Sequence, residues 1–288
     1  MIRNLLRAIT LSFIFITSLP LQAKITETHE IADILQEIDE KTLVFFDIDD
    51  TLINTECMLG NTPWWNYFVN QLIKAHYSLD KLPEEINQII QKIIMRVPVR
   101  LVDPQAAQMI EKLQQKGIPT FALTARLLKA SYIENAALYT HAHLKSVGID
   151  FTLTPLLDGE KGDFEFFSHG IIFTNHEEKG PYLRDFIHHY QLDPLKIVFI
   201  DDSLRHMKSV DQVLESIGIP FSGFRYGKMD HFHSHFDPLV ANIQLEALIN
   251  FDKILSDEEA YEISQRDTFP DPDFFIHQLF QRKSCING

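Results

Sequence analysis

Asp47 and Asp49, followed by Asp50 and Thr51, stand directly after the apolar run Leu43-Val44-Phe45-Phe46. A run that short reads as a buried parallel strand that delivers carboxylates to its C-terminal end, where ligands bind in open α/β sheets. Carboxylates at i and i+2, with a small hydroxyl residue two further on, suit a Mg²⁺-assisted nucleophilic centre. One Asp can attack phosphorus, the other can carry a proton, and the metal suppresses their mutual repulsion. Residue types alone leave a second reading open, an acidic loop that caps a helix, because Asp and Thr are good N-caps.

Two other short apolar runs end in polar groups. Ile118 to Leu123 runs into Thr124-Ala125-Arg126, and Ile197-Val198-Phe199-Ile200 runs into Asp201-Asp202-Ser203. Two adjacent acids closing a buried strand repel each other unless a cation lies between them. Between these runs, Gly170-Ile171-Ile172-Phe173-Thr174 reads as a strand, and Lys179 opens the helix that follows it. Lys161-Gly162 offers a competing Lys-Gly pair. Arg126 can reach substrate or hold a structural ion pair, and Thr124 can cap the next helix.

The elements that must position these groups alternate between strand and helix. Trp64, Tyr67, Phe68 and Leu72 recur at helical spacing, and Pro83-Glu84-Glu85 opens a second helix carrying Ile86, Ile89, Ile90, Ile93 and Ile94. The aromatic stripe is expected in the core. A helix is expected from Val102-Asp103-Pro104 to Gln115, stopped by Gly117, and another over 127–145. The Gly-punctuated stretch 151–167 reads as a hairpin or short excursion. Helices over 181–190 and up to Val213 and a last strand over 219–226 complete an alternation that implies right-handed crossovers and a mainly parallel sheet. The last 60 or so residues read as helical and peripheral. His188, His189 and His206 are expected on helix surfaces. His231, His233 and His235 alternate as in a Zn or Ni strand site, but with no acidic or cysteine partner nearby they are expected in a solvated loop.

A chain of 288 residues with 45% hydrophobic content can bury a substantial core. Residues 1–23 read as a removable export signal, with Arg3 and Arg7, an apolar stretch from Ala8 to Leu19, and Leu21-Gln22-Ala23 before the cut. That stretch is short for a membrane span. Removing two Arg from 26 Lys+Arg leaves 24 against 40 Asp+Glu, a formal charge of −16. Such a field repels phosphate backbones and argues against a nucleic-acid partner. Cys57 and Cys285 are far apart and fit no disulfide framework, so two unpaired thiols are expected.

The strand-end groups stand in four stretches, FFDIDDTL, FALTAR, EEKGPYL and VFIDDSLRHMKSV, spread over about residues 42–210. Their order resembles the haloacid dehalogenase superfamily of phosphotransferases, and within it exported bacterial acid phosphatases that share an Asp-x-Asp-Asp-Thr start. An uncharacterised exported family of that superfamily is also similar. In most other members Gly stands where this chain has Asp50. The resemblance implies a three-layer α/β/α sandwich with a mainly parallel sheet over 24–53 and 102–230, a small helical cap inserted at 54–101, and a mainly helical extension over 231–288.

The resemblance also assigns roles. Asp47 would be the nucleophile and Asp49 the general acid and base. Thr124 and Lys179 would hold the phosphoryl oxygens. Mg²⁺ would be held by Asp47, the backbone carbonyl of Asp49 and Asp202, with Asp201 acting through water. A second Asp at position 49 separates phosphatases from dehalogenases, which lack it, and from transport ATPases, which carry Thr. The expected function is exported, Mg²⁺-dependent hydrolysis of a small phosphomonoester. The rival is an exported, catalytically silent binding protein on the same fold.

Overall fold

The structure is a computed structural model that describes residues 24–78, 81–154, 163–266 and 268–281. The expected export signal, Lys161 and Cys285 lie outside the described residues.

Thr42-Leu43-Val44-Phe45-Phe46 forms β2 (Thr42–Phe46), in which every residue is buried. Successive side chains of a strand point to opposite faces, and this one feeds two separate cores. Val44 and Phe46 pack on one face with Met109, Ile110 and Leu113, while Leu43 and Phe45 pack on the other with Leu183, Phe186 and Val210. Burying an aromatic ring on each face contributes roughly 1.5–3 kcal/mol per side chain, so the two faces hold the strand from both sides.

Around β2, the strands β1 (Lys24–Thr28), β5 (Thr120–Thr124), β6 (Phe167–Ser168), β7 (Ile171–Phe173), β8 (Lys196–Asp201) and β9 (Phe221–Tyr226) complete a sheet of order β1-β9-β8-β2-β5-β7-β6. Every pairing is parallel except β6 with β7. Helices α3 (Ala106–Gln115) and α4 (Ala136–Ser146) supply one core, and α5 (Lys179–Tyr190) and α6 (Leu204–Ser216) the other. The protein is thus α/β, with a mainly parallel sheet flanked by helices on both faces. The chain leaves β2 toward β5 and β7, then crosses back to β8 on the other side of β2. In open α/β sheets such a reversal of strand order marks the ligand crevice, which places it here at the C-terminal end of β2.

Residues 54–101 leave and rejoin the sheet domain through a two-stranded antiparallel ribbon, β3 (Ile53–Thr55) with β4 (Val99–Leu101). Between them lie α1 (Thr62–Lys74) and α2 (Glu84–Arg96). Asn61 caps α1 by accepting a hydrogen bond from the Trp64 amide, and Trp64 stacks on Phe68 inside the core, as its helical spacing implied.

Two expectations about the elements are corrected. The helix expected over 127–145 starts only at Ala136, because Asn135 takes a left-handed φ of 59° just before it and cannot continue a helix. The C-terminal region is not peripheral. After α7 (Asp230–His233) come α8 (Pro238–Phe251), α9 (Asp257–Arg266) and α10 (Pro272–Gln281). Ala241, Leu245, Leu248, Ile276 and Leu279 share one buried cluster with Trp64, Phe68, Ile86 and Ile90 of the insertion. The Asp257 carboxylate accepts from the Met58 amide and the Gln244 side chain, which ties the two segments together. The amphipathic faces of α1 and α2 needed a partner, and the distant C-terminal helices supply it. At the sheet edge β1 pairs in parallel with β9.

Candidate active site

Asp47 follows β2 directly, and its amide donates to the Ile200 carbonyl at 2.9 Å, which extends the β2–β8 ladder by one step. The chain then turns sharply. Asp50 adopts φ 59°, and the amides of Leu52 and Ile53 both donate to the Ile48 carbonyl at 2.9 Å. Asp is one of the few side chains that tolerate the left-handed region. This turn presents Asp47 toward β8 and Asp49 toward the mouth of the crevice, where Asp49 is 45% exposed and Asp47 only 8%.

Lys179, the first residue of α5, is buried at 1% exposure, and its ammonium donates to Asp47 and, at 2.6 Å, to Asp201. Its neighbour Gly180 has no room for a Cβ, which would fall 2.2 Å from the Ser209 carbonyl oxygen of α6. Glycine is therefore required for α5 to approach α6 closely enough to deliver the lysine. Asp201 also accepts from the Ser203 amide at 2.6 Å, and the Asp202 amide donates to the Thr51 hydroxyl at 3.1 Å. Thr124 closes β5, is buried, and accepts from the Arg126 amide at 3.2 Å. The structure therefore brings Asp47, Lys179, Asp201 and Asp202 together, with Asp49 and Thr124 on the same sheet edge.

Asp47, Asp201 and Asp202 each offer an oxygen within 4.8 Å of the others, and among the described residues no other group of His, Cys, Asp and Glu does so. Lys179 supplies one positive charge to this group of three acids. Burial raises the Asp47 carboxyl to about 7 against the pull of Lys179, with the Asp201 charge pushing the same way as burial. Burial and the charges of Asp47 and Asp201 push Asp202 up to about 9. Hard carboxylate oxygens short of positive charge are a donor set that fits Mg²⁺.

A pH signature follows from these shifts. Asp47 and Asp202 bind protons in the folded chain that an unfolded chain, with carboxyls near 3.8, has released, so they make stability fall as pH rises toward 7 and 9. His143 and His206, both lowered by burial to about 4, act in the opposite sense below 6.5 and then stop. The net fall therefore belongs to pH 7 to 9, and His233, held above its ordinary range by Asp50, acts in the same sense. The melting temperature of metal-free protein should decline across that window, and saturating Mg²⁺ should make the decline shallower. Identical slopes with and without Mg²⁺ would contradict the metal site.

The sequence context of Arg126 is compatible with a substrate contact or a structural ion pair. It grips Asp49 bidentately, Nε to Oδ2 at 2.8 Å and Nη2 to Oδ1 at 2.6 Å, and burial notwithstanding, the guanidinium holds the Asp49 carboxyl below the usual carboxylate range. Three histidines also neighbour the site. His143 on α4 places Nδ1 3.4 Å from Arg126 Nη1 and Nε2 3.1 Å from the Ile94 carbonyl of α2. His206 is buried on α6, a correction to the expected helix surface, with Nδ1 3.9 Å from Glu178. His233 does not sit in a solvated loop. It lies on the short α7, with Nε2 3.1 Å from Asp50 Oδ2, while His231 and His235 remain exposed at its ends. No local spacing signals these contacts, since each joins segments far apart in the chain. Cys57 is a buried free thiol, pushed up to about 12 mainly by burial, and takes no part in the site.

Fold and crevice thus define an α/β protein with a carboxylate and lysine cluster at the ends of its central strands. Residues 24–261 match the family described as "Protein of unknown function (DUF2608)", and the chain belongs to that family. It is 27% identical over 239 residues to an "Uncharacterized protein" of Rickettsia prowazekii (strain Madrid E), covering 80% of this chain and 85% of that one. It is 26% identical over 240 residues to a "Putative outer membrane protein" of Chlamydia pneumoniae, covering 83% and 87%. A protein of Chlamydia trachomatis with the same description is 22% identical over 237 residues, covering 82% and 87%. No solved structure matches. No helix among the described residues is long and apolar enough to cross a membrane.

Proposed function

We propose that this protein is an exported, Mg²⁺-dependent phosphomonoester hydrolase of the haloacid dehalogenase type, acting through an aspartyl-phosphate. The observation that carries the reading is the convergence of Asp47, Lys179, Asp201 and Asp202 from three chain segments at the C-terminal end of the central strand. A purely structural role for four charged groups in a buried crevice is poorly motivated, because burying ions is costly and an apolar cluster of equal volume is no less stable. The left-handed Asp50 supports the same reading, since its backbone suits the Gly that most members of that superfamily carry there.

In this reading Asp47 attacks phosphorus in line and becomes the acyl phosphate as the ester oxygen leaves. Lys179 holds Asp47 in place and, with Thr124, balances charge on the phosphoryl oxygens. Asp49, ionised while Arg126 grips it, must be released by the guanidinium and take a proton from solvent. It gives this proton to the leaving oxygen and then takes one from the water that attacks the acyl phosphate. Asp47, Asp202 and the Asp49 carbonyl would hold Mg²⁺, with Asp201 behind them. Bound there, the ion neutralises the carboxylates and the phosphoryl oxygens so that an anion can approach an anion.

Removal of the metal is the test. Phosphate release from an aryl phosphate should stop in excess chelator and return when Mg²⁺ is added. Undiminished release in chelator would remove Asp202 from its assigned role. The export reading is supported by the basic and apolar start of the sequence and by the description of the chlamydial relatives as outer membrane proteins.

A further inference from the structure

Both carboxylate oxygens of Asp49 are occupied by one guanidinium, through the two bonds from Arg126. A residue that must reach the ester oxygen needs at least one of them free. Resting on the hydrolase reading above, the productive complex therefore requires Arg126 to let go of one oxygen or both. A guanidinium is never deprotonated and presents a fixed planar fork, so it leaves one carboxylate readily only for another planar or tetrahedral oxyanion.

Position says which oxyanion that is. The phosphoryl group undergoing transfer must lie against Asp47, on the Lys179 side, and Lys179 already reaches Asp47 and Asp201. In that reading Asp49 meets the leaving oxygen, so Arg126, bonded to Asp49 and 23% exposed beside a carboxylate that is 45% exposed, lies next to the leaving group. Its remaining Nη1 edge is backed by His143, whose other ring nitrogen is fixed on the Ile94 carbonyl of the inserted helix α2. The guanidinium thus leans on the insertion through His143 and keeps part of its surface exposed.

We infer that Arg126 is a specificity-determining residue that reads a second anionic group, a carboxylate or phosphate, on the leaving group of the substrate, and that binding of this group frees Asp49 for its work. The preferred substrates are phosphomonoesters of short hydroxy acids or diols bearing a second oxyanion a few bonds from the ester oxygen. The guanidinium exchanges one anionic partner for another. It does not change which bond breaks in the reaction.

Matched substrates test this. Phosphoglycolate is compared with ethyl phosphate, and propanediol bisphosphate with propyl phosphate, on holoprotein with Mg²⁺. Wild type should favour the doubly anionic member of each pair by about tenfold or more in kcat/KM, mostly through KM, as expected for a charged hydrogen-bonded pair. In Arg126→Met the ratio should collapse to about one whatever the absolute rate, and Arg126→Lys should restore part of it. Circular dichroism on both variants checks that the fold survives.

Equal turnover of both members by wild type would overturn the inference and leave the hydrolase reading standing. A loss in Arg126→Met that is the same for every substrate would also overturn it, since the guanidinium would then be serving the transferred phosphoryl group itself. Failure of wild type on all four compounds while it hydrolyses an aryl phosphate would overturn the inference alone, and failure on the aryl phosphate as well would overturn both readings.

Discussion

Replacement of Asp47 by Asn is expected to lower phosphomonoester turnover by about a thousandfold or more with Mg²⁺ at saturation, while the far-ultraviolet spectrum stays that of the wild type. The amide has nearly the shape of the carboxyl, and the space it fills is bounded by the Ile200 ladder bond and the Lys179 ammonium. It lacks the anionic oxygen that would attack phosphorus. Stability should change little by comparison, because Asn still accepts the hydrogen bond from Lys179 and the pair gives up one buried anion. Steady-state phosphate release and thermal melts on the two proteins separate these effects. Retention of wild-type turnover would remove the nucleophile from the account.

Lys179→Met should damage both stability and turnover. The ammonium is as buried as the acids it joins, with Asp201 fully buried beside it. Removing one partner of such a pair leaves buried charge without its counter-ion and costs about 3–5 kcal/mol. Protons can replace the missing cation, so the deficit in metal-free protein should be larger near about pH 8 than near about pH 5. Chemical denaturation at the two pH values reads this directly. A loss of stability that is small and independent of pH would mean that the carboxylates do not depend on the lysine.

Much of the sheet domain was legible because its strands are short apolar runs closed by polar residues, and strand ends carry the candidate site. Leu43 to Phe46 could be read as buried on both faces because it has no alternation, which is how a central parallel strand differs from a half-exposed one. Lys179 was legible through its place at a helix start, and Gly180 gives the structural reason for a Lys-Gly pair there. The Asp49–Arg126 pair left no local trace. It joins residues 77 apart in sequence, and either an ion pair or a substrate contact was compatible with the Arg in Thr-Ala-Arg.

The C-terminal helices were harder for a related reason. α8 is apolar around most of its circumference, with Val240, Ala241, Ile243, Leu245 and Leu248 all buried, so no single stripe announces its partner. Its docking on the insertion depends on shape and on long-range bonds such as Asp257 to the Met58 amide. His233 became visible as a neighbour of Asp50 only once that docking set the path of the chain before α8. The expected helix over 127–145 failed on backbone geometry at Asn135, a residue that tolerates the left-handed region but does not demand it.

The central claim is that Asp47 carries the phosphoryl group during turnover. The most direct measurement is to quench the Mg²⁺-loaded protein in acid during hydrolysis of an aryl phosphate, digest it, and locate phosphoryl groups by tandem mass spectrometry. The account predicts a phosphoryl group on Asp47, present with substrate and lost when the substrate is exhausted. Sustained phosphate release with no phosphoryl group on Asp47, or with one on a different side chain, would contradict it.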